Sequence, residues 1–194
     1  ETRSEGGEVV YSWDTSGAVG PALERDFPEV EKAVRVWASN VDAVYEGQSF
    51  RHLIGLVDAS VFEVFDFQFV NGSAEIAVQD PAGTVITDRM AEKYFGSDDP
   101  IGKVLTVTTA TFRGDYVVRG VIRKPEQTTV WFDFLITTPP RTSYVGELWD
   151  RWLPVEGWRP VDTYVLLQEG SDAKKLEEKL PGFMDRYMGG EVRA

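Results

Sequence analysis

"VITDRMAEKYFGSDDPIGKVLTV", residues 85–107, is the stretch on which the reading of this chain turns. The spacing predicts a strand over 84–86, then a helix, then a corner, then a second strand from Lys103. Thr87 or Asp88 can accept from the first free N–H groups of that helix. Met90 with Tyr94, and Ala91 with Phe95, fall at i,i+4 and make one apolar stripe. Gly96 stands where a helix stops through a residue of positive φ. The question is what Ser97-Asp98-Asp99 does. A calcium loop needs oxygen ligands at alternating positions and a closing Glu. Here two adjacent acids run into Pro100, with no third ligand at useful spacing. The favoured reading is architectural: the acids stay wet, Pro100 fixes the exit, and Gly102 lets the chain start a strand.

The same periodicities extend outward. "GEVVYSW" (7–13) reads as a strand, and Ala18–Asp26 as a helix closed by the Phe27-Pro28 corner, because a residue before proline avoids the helical region. Residues 32–40 alternate, and 43–58 hold Gly47 between two strands, so an antiparallel pair is expected. In "VDASVFEVFDFQFVNG" (57–72), Phe62 and Phe65 sit on a short helix, while Phe65, Phe67 and Phe69 alternate as a strand; the cluster reads as a core. A short helix from Ala74 follows, with a turn at Asp80-Pro81. Lys103–Thr109 and Tyr116–Ile122 form a hairpin. Residues 130–138 read as a half-exposed strand, 143–154 as a helix, and 160–170 as a strand. Ser171 is expected to cap the last helical stretch, which Pro181 kinks or restarts. The mixture is α+β.

Composition narrows function. The chain has 194 residues, 20 basic against 32 acidic, and a formal charge of −12. Residues 1–55, 56–130 and 131–194 carry nets of −5, −4 and −3, so no third is basic. Such a surface repels phosphate backbones and anionic headgroups, which makes nucleic acid an unsuitable partner. Cysteine is absent, which excludes thiol catalysis, thiolate metal sites and disulfides. No run reaches the ~20 apolar residues of a membrane helix, and no signal-peptide pattern is read at the start. Glu1 in place of Met reads as the start of an excised segment.

Candidate chemistry is sparse. His52 is the one histidine, set among apolar residues on an expected strand, and reads as structural or exposed. Glu63 with Asp66, or Asp58 with Asp80, pair on paper, but 32 acids make chance pairs common, and acid–base work needs two carboxyls in a cleft that splits their pKa values. No nucleophile elbow, P-loop or dinucleotide fingerprint occurs. No catalytic, cofactor-binding or metal residue is therefore assigned. Trp149 and Trp152, i,i+3 on one helical face, and Trp158 nearby are candidate partner contacts, set against ordinary packing of that helix.

Taken in order, "VDASVFEVFDFQFVNG", "VITDRMAEKYFGSDDPIGKVLTV" and "YVVRGVIRKPEQTTVWFDFLIT" resemble the extracytoplasmic core domain of MacB/FtsX-type ABC transporter permeases over about Val57–Thr138; "LPGFMDRYMGG" is similar to the end of that domain in some subfamilies. The resemblance implies a two-lobed α+β fold: a porter-like βαβ lobe from residues 1–56 and 131–194, and an inserted, mixed α/β sabre-like lobe from 57–130. It implies a periplasmic position in an inner-membrane protein, with both chain ends, Glu1 and Ala194, at one side. It implies no cofactor here, since ATP is bound by a separate cytoplasmic ATPase. Implied partners are that ATPase through the membrane region, a second permease in a homodimer or pseudo-dimer, and a periplasmic adaptor or cargo. The expected function is coupling of ATP hydrolysis to movement outside the membrane. Two other readings are a free-standing extracytoplasmic binding module with an aromatic-lined groove, and a carboxylate-dependent hydrolase.

Overall fold

One strand organises the rest. β4 (Val30–Tyr45) is 16 residues long and pairs antiparallel with β5 (Gln48–Val57) from Val36↔Val57 to Tyr45↔Gln48, the two joined through Glu46–Gly47. This is the expected hairpin, longer than the alternation alone marked out. The computed structural model describes residues 2–3, 9–10, 14–108, 113–124, 130, 132–137 and 161–188.

The other edge of β4 is shared. Its first half pairs with β11 (Val161–Leu167), its last residues with β8 (Val104–Thr108) through Asp42↔Thr108 and Val44↔Thr106. β5 pairs parallel with β10 (Phe134–Thr137), β10 antiparallel with β7 (Gly83–Thr87), and β7 parallel with β9 (Arg113–Ile122). β9 pairs with β8, which returns to β4. The ladder β4–β5–β10–β7–β9–β8 therefore closes on itself, and closure satisfies edges that would otherwise template aggregation. β3 (Asp14–Thr15) beyond β11, and β6 (Phe69–Gly72) beyond β9, are the two ends of the sheet. β1 (Thr2–Arg3) and β2 (Val9–Val10) form a separate ribbon.

Alternation along these strands builds three clusters. Trp37, Val41 and Ala43, Ile54 and Leu56, Leu105 and Val107, Val118, Ile86, Phe134 and Ile136 meet in one, so it is the inside of the ring. Helix α4 (Asp88–Phe95) adds Met90, Tyr94 and Phe95 to it. The opposite face carries Val34, Val36, Val57, Val85, Ile122, Phe132 and Leu135, covered by α2 (Val61–Val64), α3 (Ala74–Gln79) and the row Phe62, Phe65, Phe67, Phe69. The third lies where α1 (Val19–Asp26) meets α5 (Ala173–Glu177) and α6 (Leu180–Met188), with Phe27 and Phe183 rings 5.5 Å apart. Each fully buried Val, Leu, Ile or Phe contributes about 1.5–3 kcal/mol.

Side chains cap α3, α4 and α5, at α4 as expected and at α5 not from the expected residue. Ser73 Oγ accepts from Ile76 N, and Thr87 Oγ1 from Met90 N. At α5 the cap is Asp172, not Ser171: Asp172 is extended and accepts from Lys174 N at 3.0 Å, whereas Ser171 is spent in the preceding turn, its N–H donating to Gln168 O. Pro181 falls in the first turn of α6, where its missing N–H has no helical partner to lose, so the helix restarts.

Two further expectations need correction. Of 130–138, the described strand is β10, Phe134–Thr137, and it is not half-exposed. Phe134 and Ile136 are buried in the cluster inside the ring and Leu135 in the cluster on the opposite face, so β10 is covered on both faces as well as paired on both edges. Residues 65–68 are not strand; β6 begins at Phe69, after the rings of Phe62, Phe65 and Phe67 have packed on one another. Of 7–13, Val9–Val10 form β2, and 7–8 and 11–13 lie outside the described residues. The expected helix 143–154 and the two chain ends also lie outside them.

Candidate functional site

The ordering of polar groups inside an apolar sheet marks out two places. The first is where the chain leaves β5. Arg35, on β4, is buried, and its Nε and Nη2 donate to the two oxygens of Asp58 at 2.8 Å each, while Nη1 donates to Gly17 O at 2.7 Å. Asp58 Oδ2 also accepts from Arg35 N at 2.9 Å, and Asp58 N donates to Arg35 O. A planar guanidinium forked onto a carboxylate is the most directional ion pair available to side chains. It forms the floor of a cleft of about 250 Å³ whose lining includes Gly20, Glu24, Lys32 and Ser60. The lining polar groups are turned onto the protein: Glu24 accepts from Ala33 N, Ser60 Oγ donates to Ala33 O, and Lys32 meets Glu63 at 3.1 Å.

The second place is where the chain comes back, at the start of β10. His52 Nδ1 lies 2.9 Å from Asp133 Oδ2, and Nε2 lies 2.9 Å from Tyr94 Oη, which donates to Ala43 O at 3.1 Å. His52 is 4% exposed and is ringed by Phe134, Tyr94 and Phe50 at centroid distances of 5.0, 5.6 and 6.5 Å. Burial alone would raise the Asp133 carboxyl. The His52 hydrogen bond and charge, the Leu53 backbone and the Lys124 charge outweigh it and hold the carboxyl below its usual value. Burial, and then the Asp133 charge, push the Tyr94 phenol well up, so it stays protonated.

The sequence left His52 as structural or exposed; the structure buries it, and its partners were not legible. They lie 42 and 81 positions away. The available signal was Asp133 itself, a carboxylate inside the apolar run "VWFDFLIT".

Of the four carboxylates paired on paper, three are held by cations from elsewhere: Asp58 by Arg35, Glu63 by Lys32, and Asp80 by Arg119 at 2.7 Å. That Arg119 bond, with the Ala82 N–H, lowers the Asp80 carboxyl. At the acidic corner Asp99 Oδ1 accepts from Asn71 Nδ2 and Ile101 N, both at 3.1 Å, and Gly96 and Gly102 have φ of +60° and +83°. The corner joins α4 to β8 and is pinned to β6. Among the described residues no three His, Asp or Glu side chains converge as metal ligands would. Trp149, Trp152 and Trp158 lie outside the described residues.

Among the described residues no helix is long and apolar enough to cross a membrane. The comparison with curated proteins gave no match. Among solved structures, a domain assigned to a permease protein of Porphyromonas gingivalis aligns with a TM-score of 0.76 at 23% identity, covering 95% of this chain and 76% of that one. The periplasmic region of MacB from Actinobacillus actinomycetemcomitans aligns at 0.63 and 15% identity, covering 97% and 81%. The extracellular domain of the ABC-type transporter YknZ from Gram-positive bacteria aligns at 0.60 and 15%, covering 91% and 84%. These likenesses give the fold: α+β, with the porter- and sabre-like architecture of MacB-like periplasmic domains. The MacB-like periplasmic core domain family matches residues 3–182. Since that match takes in nearly the whole length, this chain belongs to the MacB-like periplasmic core domains, the extracytoplasmic domains of ABC transporter permeases.

Proposed function

We propose that this domain carries ATP-driven motion from the membrane to a partner or cargo outside it, and that it does so as one rigid body. The observation that supports this is the unbroken sheet. β4, β5, β10 and β11 come from residues 1–56 and 131–194, which form the porter-like lobe in this reading; β6 to β9 come from 57–130, the sabre-like lobe. β5–β10–β7 and β4–β8 hydrogen bonds join the two. A body stitched in this way transmits rotation rather than absorbing it at a hinge. The ATPase, a cytoplasmic chain or domain, binds the ATP, and this domain carries none. A second permease completes a dimer or pseudo-dimer, and Trp149, Trp152 and Trp158 offer contacts to an adaptor or cargo.

The test uses the parent permease with its ATPase in membranes. The chain has no cysteine, so spin labels at Glu75→Cys and Glu177→Cys report without background from this domain. The distance from 75 to 177 within one domain is expected to stay constant through the ATP cycle, while the 75-to-75 distance between two permeases changes. A changing internal distance, or two constant distances, overturns the reading. A parent gene that encodes only this chain behind a cleaved leader, without apolar spans of ~20 residues, favours the binding module with an aromatic-lined groove instead.

A further inference from the structure

The hydrogen bonds of His52 contain a count that does not close in a single way. A phenol has one proton and a carbonyl can only accept. Tyr94 Oη lies 3.1 Å from Ala43 O and 2.9 Å from His52 Nε2. With the proton on the Ala43 bond, the phenol offers only lone pairs to the ring, so Nε2 carries a hydrogen. Asp133, an ionised carboxylate, takes a hydrogen from Nδ1 at 2.9 Å. The ring is then an imidazolium. With the phenol proton turned to Nε2, the ring is neutral, protonated at Nδ1 only, and Ala43 O loses the tyrosine. Each arrangement gives both ring nitrogens a partner. They differ by one proton and one rotation of a hydroxyl.

We propose that His52, Tyr94 and Asp133 form a one-proton switch that moves the tether of α4 between two strands of the ring. Protonated His52 sends the Tyr94 hydroxyl to Ala43 on β4; neutral His52 keeps it on β5. Ala43 is no ordinary acceptor, because it lies opposite both Phe50 of β5 and Val107 of β8. It therefore sits at the seam where β8 closes the ring, and the switch acts on the contact between α4 and that seam.

The charged and titratable groups around the ring are few. Asp133 faces it from the start of β10, Tyr94 from α4, and Lys124, beyond β9, acts on Asp133. Lys93 of α4 lies over the Phe50 ring at 3.9 Å. Arg51 and its β4 partner Asp42 neighbour His52 and Val41 in the hairpin but alternate to the other face. Phe134 and Phe50 close the remaining sides, so no second cation contacts the imidazole among the described residues. Protons reach it through Asp133, whose side chain is 21% exposed, against 3% for His52. Histidine is the side chain whose ordinary titration spans about pH 5 to 8, which makes this exchange available in an extracytoplasmic space.

A single histidine makes the test direct. The chain is labelled with 15N at the imidazole and 13C at the alanine carbonyls, and followed by NMR from about pH 8 to pH 5. Nδ1 should stay protonated throughout, Nε2 should pass from unprotonated to protonated, and the Ala43 carbonyl should shift with the same midpoint. Tyr94→Phe should keep the Nε2 titration and abolish the Ala43 response. Asp133→Asn should move the midpoint toward acid. A neutral ring protonated at Nε2, an Nε2 that never changes, or an Ala43 carbonyl indifferent to the titration each refutes the switch. If Tyr94→Phe does not fold, agreement or disagreement of the two wild-type midpoints decides.

Discussion

The chain leaves β5 at Val57–Asp58 and enters its parallel partner β10 at Asp133–Phe134, and these two passages, one outward and one returning, solve one problem with different chemistry. At each, a carboxylate at a strand end is held by a nitrogen base on a neighbouring strand: Asp58 by the Arg35 guanidinium of β4, Asp133 by the His52 imidazole of β5. The passages lie at opposite ends of the same parallel pair, since Phe134 is level with Ile54 and Thr137 with Val57. Arginine is charged at every pH a folded protein meets, and its fork uses both carboxylate oxygens. Histidine makes one bond to its acid and gives its other nitrogen to Tyr94. The outward passage is therefore a fixed joint, and the return is a conditional one.

Removing the fixed joint should cost most. Asp58→Ala leaves the Arg35 guanidinium buried without its carboxylate, and loss of one member of a buried pair costs about 3–5 kcal/mol. Urea unfolding should show the midpoint falling at unchanged slope. The loss should be the same at about pH 5 and pH 8, neither carboxylate nor guanidinium changing charge in that range. A loss that varies with pH would erase the distinction between the joints.

Asp133→Asn should cost less, about 1 kcal/mol at neutral pH, because an amide oxygen still accepts from Nδ1 and only the charge is lost. The pH dependence has a definite sign. The Asp133 carboxyl is held below its usual value in the folded chain, so it contributes stability above the unfolded value of about 3.9, and that contribution is lost as pH falls through the folded value. Wild type and variant should therefore converge once pH falls below about 4, into the carboxyl range. Unfolding free energies measured from about pH 6 down to pH 3 check this, and parallel curves would mean that the charge of Asp133 does nothing for the fold.

What the sequence disclosed follows the reach of its interactions. Thr87, Met90, Tyr94 and Gly96 specify a cap, a stripe and a stop within ten residues, and α4 lies where that pattern puts it. The hairpin of β4 and β5 is equally local. Ring closure was not legible, because alternation tells which faces a strand has, not which edge finds a partner; Asp42 meets Thr108 across 66 positions. The same limit hid the joints. Asp133 looked like a sign of a wet strand face, whereas it is a partly buried partner placed just before a strand covered on both sides. The family resemblance supplied the long-range order that periodicity lacks.

The smallest effect belongs to the acidic corner, and it sharpens the contrast between clamped and free carboxylates. Asp99 is engaged, accepting from Asn71 and Ile101. Asp98, next to it, is 74% exposed and only reaches Lys103 at 4.0 Å. An exposed ion pair of that length is worth little, so Asp98→Asn should change unfolding free energy by no more than about 0.5 kcal/mol. If the corner is architecture, adding calcium should leave the thermal midpoints of wild type and variant alike, since a carboxylate pair whose better-placed member already serves two N–H donors has no converging oxygens to offer. A calcium-dependent rise present in wild type and absent in the variant would convert the corner into a cation site. The bond from Asn71 argues the other way: it engages Asp99 Oδ1 in pinning the corner to β6, while the positive φ of Gly96 and Gly102 turns the chain from α4 into β8.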